Sequence, residues 1–149
     1  MPLIRISLED FDIATELSRL QVNAGAVASF IGIVRGTSHG RALRSMTLEH
    51  YPAMTEHALA EIANQAMQRW DLTDCTIIHR IGRLKPGARI VLAAAASAHR
   101  KAALEATTFL IDWLKTDAPF WKREEFSSGE SVWVTRNAGD DEARARWAE

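Results

Sequence analysis

A helix running into Leu114-Lys115-Thr116-Asp117-Ala118-Pro119 has to stop there. Pro119 has no backbone N–H to give, and it biases Ala118 away from helical dihedrals. The chain must turn, so Phe120-Trp121-Lys122-Arg123-Glu124 can return as a strand beside the helix end it has just left. That return carries Lys122 back toward Lys115. Two ammonium groups held close, and partly desolvated by Phe120 and Trp121, disfavour each other's charge. A lysine in that setting can act as nucleophile or proton shuttle, and one left charged can steady a developing oxyanion. A plainer role also fits: a lysine favoured by the helix dipole, followed by an exposed strand lysine.

The rest of the chain supplies the partners for this turn. Leu3 to Ser7 reads as a strand, and Ser7-Leu8-Glu9-Asp10 as an N-cap for a helix with Phe11, Ile13, Ala14, Leu17 and Leu20 on its apolar side. Ala26 to Val34 is apolar on both parities, the pattern of a strand covered on both faces. After the polar loop 37–41, Leu43 to Tyr51 returns as a strand, and Pro52 opens a helix that reaches Trp70. Cys75 to Ile81 and Arg89 to Ala96 read as strands joined through Pro86-Gly87. Ser97 is placed to cap a helix from Ala98 to Lys115, with Phe120 to Phe126 and Val132 to Thr135 as two last strands. A short helix is expected within 139–149. The order β-α-β-β-α-β-β-α-β-β predicts an α+β fold with a mainly antiparallel sheet and helices packed on it.

Composition narrows the function classes. A net charge of −1 leaves no global field for nucleic acid, so any basic site is a local cluster. The lone cysteine, Cys75, sits in an apolar strand and reads as core; alone it can form neither an internal disulfide nor a Cys-based metal site. No apolar run reaches about 18 residues and no leader pattern is visible, which bounds the expectation to a soluble, cytoplasmic protein. One domain over 1–149 is expected, with a mobile tail from about 137.

Two other places could hold an anion. Ser97-Ala98-His99-Arg100 stands at a predicted helix N-terminus, where free backbone N–H groups favour a phosphate. Arg35 ends a buried strand, and the following Gly36 would let a ligand approach the backbone. A capping serine with a surface arginine, and a polar loop, are the plain alternatives. His39, His50, His57 and His79 show no metal-ligand spacing and read as structural or surface groups.

Taken in order, several blocks resemble one family. These are Gly25-Ala26-Val27 with Phe30-Ile31-Gly32-Ile33-Val34-Arg35, then Leu48-Glu49-His50-Tyr51-Pro52-Ala53-Met54, then His79-Arg80-Ile81-Gly82 with Pro86-Gly87. Ser97-Ala98-His99-Arg100 and the Asp112 to Glu124 stretch complete the set. Together they resemble the large, catalytic subunit of molybdopterin synthase, the MoaE family.

The resemblance implies an α/β-hammerhead fold and a sulfurtransferase that converts cyclic pyranopterin monophosphate to molybdopterin. Sulfur would arrive as a thiocarboxylate on the C-terminal Gly-Gly of a small ubiquitin-like partner, in a heterotetramer built on a homodimer of the large subunit. No metal or bound cofactor is implied. Lys115 and Lys122 become the catalytic lysines by this resemblance, and Ile33, Val34, Arg35, His99, Arg100, Arg123 and Glu124 the substrate pocket. Arg136 stands where the family often has a basic residue and is carried as a further candidate.

One geometric consequence follows from the helix itself. If 99–115 is one helix, His99 and Lys115 are about 24 Å apart. A small pocket cannot hold both ends, so His99 and Arg100 are expected to serve the site of a neighbouring subunit. Two readings compete with catalysis. An adaptor gripping a ubiquitin-like tail has no need of both lysines. An RNA-binding domain stacking bases on Phe120 and Trp121 is disfavoured by the charge balance.

Overall fold

The computed structural model describes residues 2–134, 142 and 145–147. Among these, strands and helices follow in the order β1 (Leu3–Ser7), α1 (Ile13–Leu20), β2 (Ala26–Ile33), β3 (Thr37–Ser38), β4 (Arg41–His50), α2 (Pro52–Arg69), β5 (Leu72–Arg80), β6 (Gly82–Leu84), β7 (Arg89–Ser97), α3 (Arg100–Thr116), β8 (Phe120–Phe126) and β9 (Ser131–Trp133). They make two sheets. The first has strand order β1-β5-β7-β2, with β1 parallel to β5 and the other pairs antiparallel. The second runs β3-β4-β8-β9, all antiparallel, and β6 also pairs with β4. The expected mainly antiparallel α+β architecture is what forms. No helix among the described residues is long and apolar enough to cross a membrane.

Strand β7 explains why the first sheet can be covered on both faces. Ala93, Ala94, Ala95 and Ala96 are all completely buried, and their small side chains let helices approach from either side. Ala93 and Ala95 join Cys75 and Ile77 against Leu59, Ala63 and Ala66 of α2 and Ala106 and Leu110 of α3. Ala94 and Ala96 join Ile78 and Leu92 in a cluster with Phe11 and with Leu20 of α1. Cys75 is a core thiol, as expected. Burial is the main cause that pushes its pKa up to about 12, so it stays protonated and inert.

A third cluster joins the two sheets. Val34, Leu48, Leu84, Ile90 and Val91 pack together, with Leu114 of α3 against them. This seam sits under the end of α3 and so fixes where the turn at Pro119 lies relative to both sheets.

Three local expectations are corrected. Helix α1 is capped by Asp12, not Ser7: the Asp12 carboxylate accepts from Ala14 N at 3.1 Å and Thr15 N at 3.4 Å. Ser7 instead ends β1, and its hydroxyl accepts from Glu9 N at 2.9 Å. Helix α3 is capped at His99, not Ser97, because Ser97 still belongs to β7 and its hydroxyl donates to Asp71 O at 3.0 Å. The connection after β5 contains the short strand β6, too brief to show a period-two pattern. Its first residue, Gly82, has φ +86°, and a Cβ there would stand 2.8 Å from Leu8 Cδ2. Glycine is thus what lets the chain leave the first sheet and join the second. Most of the expected C-terminal helix, and Thr135 at the end of the last expected strand, lie outside the described residues.

Candidate active site

The turn after α3 forms as Pro119 demands. Asp117 N and Ala118 N both donate to Trp113 O, at 2.8 and 3.3 Å, closing the helix, and Phe120 N donates back to Ala118 O at 2.8 Å. Strand β8 then runs antiparallel to β4, with Phe120 opposite His50 and Lys122 opposite Leu48. The two-residue period puts Phe120, Lys122, Glu124 and Phe126 on one face and Trp121, Arg123 and Glu125 on the other. Phe126 and Glu124 are buried, so the Phe120 face is the inward one. Lys122 is half-buried there, and Lys115 is exposed on the last turn of α3.

The positive fields of both lysines reach His79. This residue shares the face of β5 that Cys75 and Ile77 turn toward α2 and α3, and it is 6% exposed. Its Nδ1 lies 2.8 Å from Arg80 O. A carbonyl can only accept, so Nδ1 carries the proton and Nε2 the lone pair. The imidazole lies flat on Phe120, with ring centroids 3.8 Å apart and planes 13° from parallel. His50 packs on Phe120 as well, at 6.0 Å, and its Nδ1 is buried without a hydrogen-bond partner among the described residues. Burial is the main reason the His79 pKa falls to about 4; the Arg80 carbonyl opposes the shift, while the positive fields of Lys122 and Lys115, together with His50, add to it.

This shift has a sign that can be tested. The unfolded chain takes up a proton at His79 near the ordinary value of 6.5, and the folded chain does so only near 4. Stability from the neutral imidazole is full above 6.5 and is lost as pH falls toward 4. The slope inside that window is at most about 1.4 kcal/mol per pH unit. Asp10 and Glu125, whose carboxyls are held low mainly by hydrogen bonds from Arg89 and Arg83, lose their contributions only below 3.8 and 4.5. Thermal melts from about pH 7 to about pH 5 should therefore show a falling Tm that His79→Phe largely removes. An equal fall in both proteins would assign it elsewhere.

The other candidates divide. Arg35 is exposed just past β2, beside Ile33 at 54% exposure. Val34 is only 2% exposed, so its side chain packs in the seam and its part is to hold the backbone that presents Arg35. Glu124 is buried and accepts a 2.9 Å hydrogen bond from the Ser38 hydroxyl. It ties β8 to the hairpin that follows Arg35-Gly36. Arg123 is half-buried on the opposite face from Lys122 and Glu124. Arg136 lies outside the described residues.

His99 and Arg100 sit exposed at the other end of α3, where no side chain among the described residues caps the helix. The 17 residues of α3 span about 25 Å, so one chain does not bring them to the lysines. Arg100 instead lines a groove of about 350 Å³ along β2, with Val27, Ser29, Phe30, Leu104 and Thr108. Strand β2 is the edge of its sheet, and Leu104 is 59% exposed.

The family model for the MoaE protein matches residues 6–117, most of the elements just described. The chain belongs to the MoaE family. A molybdopterin synthase catalytic subunit from Ralstonia nicotianae is 50% identical over 150 residues, covering 99% of this chain and 85% of that one. The MoaE-type fold is also shared in three dimensions. The molybdopterin biosynthesis MoaE protein of Burkholderia ambifaria superposes with a TM-score of 0.84 at 43% identity, covering 100% of this chain and 99% of its own. A molybdopterin synthase from Staphylococcus aureus gives 0.82 at 32% identity, covering 88% and 96%.

His79 is the residue at this turn that sequence reasoning left among the structural or surface histidines, although its block marked the MoaE resemblance. Nothing local tells which strand of the second sheet meets it there.

Proposed function

We propose that this chain is the catalytic subunit of molybdopterin synthase. As a sulfurtransferase, it would move sulfur from the C-terminal thiocarboxylate of a small ubiquitin-like partner to cyclic pyranopterin monophosphate, building the dithiolene. The observation that carries this reading is that, in a chain of this family, the helix end bearing Lys115 turns at Pro119 into a strand that bears Lys122 on its inward face, beside Phe120. A thiocarboxylate tail is anionic and extended, and two cations beside Phe120 suit it. Lys115, exposed on the helix end, assists attack of the sulfur on the pterin side chain. Lys122, half-buried, supplies a proton or stabilises the negative charge that develops. Mixing the protein with a thiocarboxylated partner and the cyclic pterin should yield dithiolene; no product would refute the assignment.

The substrate phosphate needs a separate holder. The uncapped α3 N-terminus with His99 and Arg100 offers one, and the length of α3 directs it to another copy's lysines. An edge strand, an exposed Leu104 and the groove containing Arg100 favour a second copy of this chain packed along β2 and α3. Mixed dimers of Lys115→Ala and Arg100→Ala chains should then regain one intact site and measurable activity. Activity no higher than that of the parent variants would refute a site shared between two copies.

A further inference from the structure

Backbone hydrogen bonds close the turn that carries the two lysines, and side-chain packing at Phe120 ties it to the rest of the molecule. Lys115 lies on the last turn of α3 and Lys122 near the start of β8, and Phe120 stands between them where the chain changes direction. Phe120 packs against imidazoles from two different strands. His50 lies opposite it in the β4–β8 ladder, with centroids 6.0 Å apart and planes at 30°. His79 reaches it from the other sheet, at 3.8 Å and 13°. His79 is in turn fixed by the 2.8 Å contact of its Nδ1 with Arg80 O. The His79–Phe120 stack is therefore a side-chain link from the first sheet directly to the residue between the two lysines.

We propose that His79 is a positioning residue for sulfur transfer, whose flat stack on Phe120 sets where Lys122 stands relative to Lys115. The inference rests on the assignment of those lysines as the reacting groups. Phe120 from β8 stacks on His79, and the charges of Lys122 from β8, Lys115 from α3 and His50 from β4 act on it. A neutral ring suits this place, since an imidazolium would add a third cation beside two ammonium groups. The side chain thus works by shape and neutrality, and exchanges no proton in the reaction.

Substitutions separate the stack from the nitrogen chemistry. His79→Gln keeps a donor for Arg80 O and loses the ring; His79→Phe keeps the ring and loses the donor. In the complete assay, with thiocarboxylated partner and cyclic pterin, His79→Gln should lower kcat about 10- to 100-fold while leaving the pterin KM within about twofold, as displaced catalytic groups do. His79→Phe should restore most of that kcat, with a pH–rate profile like that of the parent. Phe120→Leu should reproduce the loss. The double variant His79→Gln/Phe120→Leu should lose little more than either single one, because both remove the same stack.

Activity in His79→Gln with none in His79→Phe would overturn the proposal, because the hydrogen bond to Arg80 O and not the ring stack would then be what the reaction needs. Loss of activity in both variants would overturn it by pointing to the ring nitrogen. Additive losses in the double variant would also overturn it. Should His79→Gln fail to fold, Phe120→Leu against Phe120→Tyr asks the same question from the other ring. Loss in the leucine variant and retention in the tyrosine variant support the stack, and equal activity refutes it. Lys115→Ala and Lys122→Ala are assayed alongside. Full activity in both would remove the lysine assignment, and the His79–Phe120 coupling measured in thermal stability would still report whether the stack exists.

Discussion

Lys122→Ala is expected to lower dithiolene formation by at least about a hundredfold, and Lys115→Ala by a similar factor, with the fold intact. Removing one group that stabilises developing charge in a desolvated site costs on the order of 10²–10³ in rate. The expectation is strongest for Lys122, which is half-buried on the inward face of β8 beside Phe120. Lys115 is exposed, so its loss should leave the melting temperature almost unchanged and separate chemistry from folding. Arginine at either position keeps the charge and replaces a compact ammonium with a planar fork, so it should rescue poorly. Single-turnover assays with a thiocarboxylated partner measure this directly. Parent-like rates in both alanine variants would rule out the lysine mechanism.

Gly25→Ala should be the most damaging small substitution at the start of β2. A Cβ there would stand 2.1 Å from Ala98 O and 2.9 Å from Ala98 C, both backbone atoms that no rotamer change can move. Gly25 N also donates to Ser97 O at 2.9 Å, so the two segments are bonded as well as in contact. Relief requires β2 and the Ala98-His99-Arg100 turn to separate. Forced overpacking of this kind costs about 2–3 kcal/mol, or roughly 5–10 °C in Tm for a chain of this size. The displaced segment presents His99 and Arg100. Affinity for the phosphorylated pterin should thus fall together with stability, measured by calorimetric titration below the melting range. An unchanged Tm would mean that the backbone yields here at no cost.

How much of this was readable in advance depended on the range of the signal. Pro119 ended α3 and turned the chain because its ring and missing N–H act on adjacent residues. The Pro52 helix start and the Arg89 strand start appeared at the expected residues for the same local reason. Ser7 and Ser97 were misassigned as caps because a serine at a strand end carries the same one-letter signal as a serine at a helix start. What separates them is pairing: Ser7 lies opposite Arg80 in β1–β5, and Ser97 opposite Ala26 in β7–β2. Arg123 and Glu124 are neighbours in the chain and both are pocket candidates by the resemblance, and the pleat sends them to opposite faces. Glu124 turned out to bind Ser38 across 86 positions of sequence.

For the Lys115–Glu124 turn, the sequence alone determined that a helix ends, that a strand returns, and that two lysines flank the break. Those facts rest on steric limits within a few residues of proline. Only the tertiary structure decided what the lysines face. His79 comes from β5 of the other sheet, 41 residues before Phe120, and its ring stacks on Phe120 across the two sheets. Likewise, the length of α3 was legible and put His99 out of reach of Lys115. The open edge of β2 beside Arg100 became visible only once the strand order was known. Contacts between sheets depend on packing summed over many side chains, and no short window of sequence carries that sum.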